Sequence, residues 1–137
     1  MGVCALTVAM AAGCATKGAE LTADSPPEVK AAAVKERASA RWAELIKGNR
    51  DAAYAYLSAG ARQMMSLEQY NARVKTGEFR AVQIHKVDCE AEICTVKLQL
   101  TYDYRSTKGV GAAKGITTAV QETWVVEKGQ AWFVMGP

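Results

Sequence analysis

The chain has 137 residues, half of them apolar and 23% charged, with a formal net charge of +3. That balance belongs to a folded chain, and the length suits one core rather than two domains. The positive side chains are scattered, without the dense basic stripe of nucleic-acid binders, so no nucleic-acid partner is expected.

Residues Gly2 to Ala12 read GVCALTVAMAA and are followed by Gly13 and Cys14. A bilayer-spanning helix needs about 20 apolar residues, so this run fits the apolar region of an export signal. Small residues immediately before a cysteine resemble the lipobox of bacterial lipoproteins. The resemblance implies a signal peptide over 1–13 and a Cys14 thiol joined to diacylglycerol, with Cys14 as the first residue of the mature, acylated protein. Ala15 follows, where inner-membrane retention often shows Asp, which implies the periplasmic face of the outer membrane. The competing reading is a buried helix that opens a soluble domain.

The next segment, 14–27, is small, polar and proline-bearing, and is expected to be a flexible tether. A folded body over 28–137 follows. Ser25 is expected to cap its first helix, with Pro26 or Pro27 in the opening turn. Val34, Ala38, Arg41, Trp42, Leu45 and Ile46 then recur at helical spacing up to about Lys47, where Gly48 ends the element. A shorter helix starts at Asn49 or Arg50, carries Ala53, Tyr54 and Leu57 on one face and ends near Ser58 to Gly60. Ser66-Leu67-Glu68-Gln69 has the form of a capping box and opens a third helix through about Lys75, closed by Gly77.

From Glu78 the apolar period changes to two. Cys94, Val96, Leu98, Leu100, Tyr102 and Tyr104 alternate with polar residues, as a half-buried strand requires. The stretch before Cys89 reads as its partner strand. Ile116 to Glu127 and Gln130 to Met135 make two more, joined by a tight turn at Lys128-Gly129. Cys89 and Cys94 then oppose each other across a hairpin end, which predicts a disulfide in an oxidising compartment. The alternatives are two reduced core cysteines or half a zinc site, for which His85 is the nearby candidate ligand. Helices followed by an antiparallel sheet define an α+β domain: three N-terminal helices packed on a curved four-stranded antiparallel sheet.

The helix bearing Trp42, the phrase GNRDAAYAYLS, the capped SLEQY and a meander ending in ETWVVEKGQAWF together resemble the nuclear transport factor 2-like superfamily, over about residues 28 to 136. The resemblance implies a cone in which helices close over a curved sheet and leave a cavity. That superfamily includes isomerases, dehydratases, cyclases, transport factors and envelope components, so the fold leaves function open.

With Cys89 opposite Cys94, an unbroken register sets Val87 against Val96, His85 against Leu98 and Gln83 against Leu100. The candidate cavity-lining residues are therefore His85, Gln83, Tyr102, Tyr104, Glu122 and Trp124. A carboxylate beside a histidine in an apolar pocket permits acid–base work. The same register turns Val82 and Ile84 outward, which implies either an apolar outer face used in dimerisation or a β-bulge that reverses the pattern and puts His85 outside. Trp42, Trp124 and Trp132 fall in their elements' apolar patterns and are expected to pack rather than to form a sugar platform. The loop from Arg105 to Gly115 lacks the Walker spacing of a phosphate loop.

The sequence thus points to a non-catalytic envelope lipoprotein that binds or assembles through its folded body. The alternatives are a cavity enzyme of the isomerase, dehydratase or cyclase type and a homodimeric structural subunit. The expected partners are the membrane through the lipid, an envelope protein or a second copy, and a small apolar ligand. No catalytic residue is assigned, and no cofactor or metal is expected.

Overall fold

The computed structural model describes residues 20–105 and 111–136. The expected signal peptide, Cys14 and the first part of the expected tether lie outside these residues, as does the middle of the loop between Arg105 and Gly115.

Among the described residues, four helices precede four strands. The helices are α1 (Pro27–Lys47), α2 (Arg50–Tyr54), α3 (Ala59–Met64) and α4 (Leu67–Arg73), and the strands are β1 (Phe79–Glu90), β2 (Ile93–Arg105), β3 (Ala112–Glu127) and β4 (Gln130–Val134). The strands form one open antiparallel sheet in the order β1-β2-β3-β4. The fold is α+β. α1 lies across the inner face of the sheet, chiefly on β1, with further contact to β4 and β2.

The local chemistry explains most boundaries. Gly48, with φ +85°, takes the left-handed conformation that ends α1, and its N–H and that of Asn49 donate to carbonyls of the last turn. Asn49 caps α2 by accepting from the Ala52 N–H. Ser66 and Gln69 complete the expected capping box at α4. Lys128 and Gly129 both have positive φ, as a two-residue turn between β3 and β4 needs.

Three expectations are corrected. The second helix stops at Tyr54, short of its expected end near Ser58 to Gly60, and a separate helix over Ala59–Met64, capped by Ser58, follows, so the described residues hold four helices rather than three. Its sequence, AGARQM, has no buried residue and hence no apolar stripe to announce it. Ser25 does not cap α1; its Oγ accepts from the Thr22 N–H in a turn of its own, while Pro26 occupies the cap position. Finally, the tether is docked at its end. Leu21 is buried in the core and donates its N–H to the Gly129 carbonyl, and the buried Lys30 ammonium donates to the Ala23 carbonyl and to that of Ala91 in the β1–β2 turn. Ala91 has φ +49°, a conformation costly for a residue with a Cβ, and Lys30 grips that turn.

β1 departs from the unbroken register in the manner of a bulge. Cys89 faces Cys94 and Val87 faces Val96, but Ile84 then faces Leu98 and Val82 faces Leu100, leaving His85 without an opposite number. A second slip at Arg80 sets Phe79 opposite Tyr102. The inward set on β1 is therefore Phe79, Val82, Ile84, Val87 and Cys89, all packed against the core. Each bulge also bends its strand.

Candidate functional site

The interior is organised around one carboxylate. β3 alternates so that Val120, Glu122, Trp124 and Val126 face the helices, and Glu122 is buried. A buried carboxylate is costly unless charge and hydrogen bonds compensate it. Both are supplied. Arg41 Nη1 donates to Oε1 at 2.9 Å, Trp42 Nε1 donates to the same oxygen at 2.8 Å, and Trp124 Nε1 donates to Oε2 at 3.0 Å. Arg41 and Trp42 are adjacent on α1, and their donors converge because both belong to the helix face that meets the sheet. The Arg41 guanidinium lies 3.7 Å from the centroid of the Phe133 ring, which adds a cation–π contact.

Two polar atoms near this node lack partners. Arg41 Nε and the Tyr70 hydroxyl are both buried without a regular hydrogen bond. Burial pushes the Tyr70 phenol above its ordinary value; the nearby Arg41 charge pulls in the other direction and Glu122 adds to the rise.

The expected cavity-lining set divides. Glu122 and Trp124 meet in the buried node, and Tyr102 is half-buried at its strand end. Tyr104 is exposed, 52% accessible. His85 and Gln83 are exposed, because the bulge at His85 turns Val82 and Ile84 inward and Gln83 outward. The His85–Glu122 acid–base pair therefore does not form, and Glu122 is already occupied by three donors. Cys89 and Cys94 are joined in a disulfide with Cα atoms 4.0 Å apart. Among the described residues no group of three His, Cys, Asp or Glu side chains is placed to hold a metal ion.

A second cluster stands at the surface, where the register of β3 and β4 presents Trp132 next to α1. The Arg37 guanidinium lies over both the Tyr56 and the Trp132 rings, 4.8 Å from each centroid, and its Nε donates to the Ala131 carbonyl. Arg62 of α3 covers Trp132 at 5.5 Å. The Trp132 indole N–H donates to the Glu127 carbonyl. Partial burial lowers the Arg37 pKa, with Tyr56 and Glu36 opposing that shift. A cleft of about 390 Å³ opens beside the stack, lined in part by Arg37, Glu44, Ala55, Tyr56, Gln130 and Trp132. Trp132 keeps its expected packing role, with Arg37 and Arg62 each lying over its ring.

The helical spacing places Arg41 on the buried face of α1 but does not name its partner. The signal was available: an arginine on an apolar stripe requires a buried acceptor, and Glu122 is a carboxylate in the inward set of a strand. The Arg37–Tyr56–Trp132–Arg62 stack had no such signal, since four separate segments of the chain contribute to it.

Comparison with family models, with curated proteins and with solved structures finds no match for this chain.

Proposed function

We propose that this chain is a lipid-anchored protein of the cell envelope, with a cone-shaped body of the nuclear transport factor 2-like type, that binds a protein partner at the Arg37–Tyr56–Trp132–Arg62 stack. The observation that carries this reading is the stack. Tyr, Trp and Arg are the residues that dominate binding hot spots, and a guanidinium already held against two rings and the Ala131 carbonyl loses little freedom when a partner docks. The interior supports the same choice: Glu122 is committed to Arg41, Trp42 and Trp124, and both tryptophans belong to the apolar core cluster. The disulfide suits an oxidising compartment, where a lipobox would deliver the protein. Helices laid over a sheet whose strands are bent by bulges suit the cone.

Two experiments test the two halves of the proposal. Radioactive palmitate fed to cells producing the full chain should label the protein and should not label Cys14→Ser; equal labelling of both, or of neither, removes the anchor. A photoreactive residue in place of Ala55, which is exposed in the cleft, should give a discrete adduct with an envelope protein. The adduct should fall at least tenfold in Arg62→Glu, which reverses an exposed charge on the stack without touching the core. An adduct indifferent to Arg62→Glu would move binding elsewhere.

A further inference from the structure

The sheet treats its edges unequally. Along β1 the outer edge carries Arg80, Lys86, Asp88 and Glu90 and is broken twice by register slips, devices that block pairing with another chain. The edge of β4 is closed by the segment after α2: Phe133 donates its N–H to the Tyr56 carbonyl and accepts from the Ser58 N–H, both at 2.8 Å. β4 covers β3 only from Thr123 onward. From Ile116 to Gln121, β3 pairs with β2 on one side, and among the described residues no backbone group hydrogen-bonds to its other side. This stretch, ITTAVQ, has no charge, no proline and no break in register, so it has none of the protection given to β1.

We infer that this edge pairs with the same edge of a second copy of the chain, antiparallel about Thr118. The choice of a second copy rests on self-complementarity. Centred on Thr118, the pairing sets Ile116 of each copy opposite Val120 of the other on the inner face, and both of these aliphatic side chains are left half-buried in the single chain. Thr118 opposes its own counterpart and Thr117 opposes Ala119, small residues that fit cross-strand positions. The run stops short of Thr123, where pairing with Val134 at the end of β4 starts, so β4 pairs with no residue within it. Five or six residues per copy bury far less than the roughly 1,600 Å² of a standard interface, so the dimer is weak and concentration-dependent. It is independent of the Arg37 stack, which lies at the opposite end of β3, beside β4.

The register makes the test sharp. Residues opposite each other on antiparallel strands lie at disulfide distance, so full-length Thr118→Cys, oxidised gently at high concentration, should form several-fold more linked dimer than Thr117→Cys. Sedimentation of the unmodified chain should show a mass that rises toward the dimer with concentration. Thr118→Lys, which places two ammonium groups face to face at an exposed position, should remain monomeric while keeping the far-ultraviolet circular dichroism of the parent. Equal linkage at positions 117 and 118 overturns the proposal, as does a parent chain that stays monomeric throughout, whether the chain's own first 19 residues cover the edge or nothing does.

Discussion

Tyr70 shows what one buried atom does to the pH response of this protein. Its ring packs edge-on against Tyr54, with centroids 5.3 Å apart, while its hydroxyl is buried beside Arg41 without a regular hydrogen bond. The phenol ionises in the unfolded chain near its ordinary value of 10.0 and at higher pH in the folded one. Its contribution to stability is therefore complete below pH 10 and is lost as pH rises through the folded value, because the unfolded state ionises first. Tyr70→Phe keeps the ring and removes the unpaired hydroxyl. We expect a chain at least as stable at pH 7 and less sensitive to alkali above pH 10, read from chemical denaturation across that range; unchanged alkaline sensitivity would mean that Tyr70 is not the responsible group. At this scale the sequence was legible where a pattern forced a side chain inward, as with Glu122 and Trp124. It misled at His85 and Gln83, because one extra residue in a strand exchanges its two faces and alternation alone cannot locate the insertion.

At the scale of elements, caps and turns carried most of the information. Gly48, Asn49, Ser66 with Gln69, and Lys128-Gly129 mark boundaries by local backbone chemistry, and the structure uses each of them. α3 escaped notice because a six-residue helix that buries nothing has no periodic face. The β2–β3 hairpin contains a further irregularity, between Tyr102 and Tyr104, where β3 carries two residues against Asp103 alone. The Asp103 carboxylate stabilises this bulge: Oδ1 accepts from the Gly115 N–H at 3.0 Å, and Oδ2 accepts from Arg80 Nε at 2.8 Å. These contacts, the Gly115 N–H foremost and then Arg80, hold the Asp103 carboxyl below its ordinary 3.8. The stabilisation is thus present above that value and is lost as pH falls below it. Asp103→Asn should remove this component of acid sensitivity, and amide exchange at Gly115 should become faster and lose its dependence on pH in the acid range beyond the intrinsic trend. Unaltered protection at Gly115 would show that the carboxylate does not hold the bulge.

The whole molecule is a set of helices locked to a sheet through one charged node. α1 supplies Arg41 and Trp42, β3 supplies Glu122 and Trp124, and β4 supplies Phe133 beneath the guanidinium, so a single carboxylate ties the first helix to the last two strands. The α+β class, the four-stranded antiparallel sheet and the Cys89–Cys94 pair were legible from periodicity and spacing. The node was only half legible, because alternation shows which residues face inward but not which of them meet across 80 residues of chain. The surface stack of Arg37, Tyr56, Trp132 and Arg62 was not legible at all, since it depends on how α1, α3 and the segment between α2 and α3 settle against β4. The interior carboxylate is committed to holding the fold, and the proposed binding is accordingly assigned to the exterior.

Equilibrium unfolding of the full chain carrying Glu122→Ala, compared with His85→Ala, tests that claim most directly. Removing one partner of a buried ion pair strands the other, so Glu122→Ala should lose about 3–5 kcal/mol, and the exposed His85→Ala should stay within about 0.5 kcal/mol of the parent. A Glu122→Ala chain as stable as the parent would contradict the account: the carboxylate would then be free of structural duty and available to a ligand inside the fold.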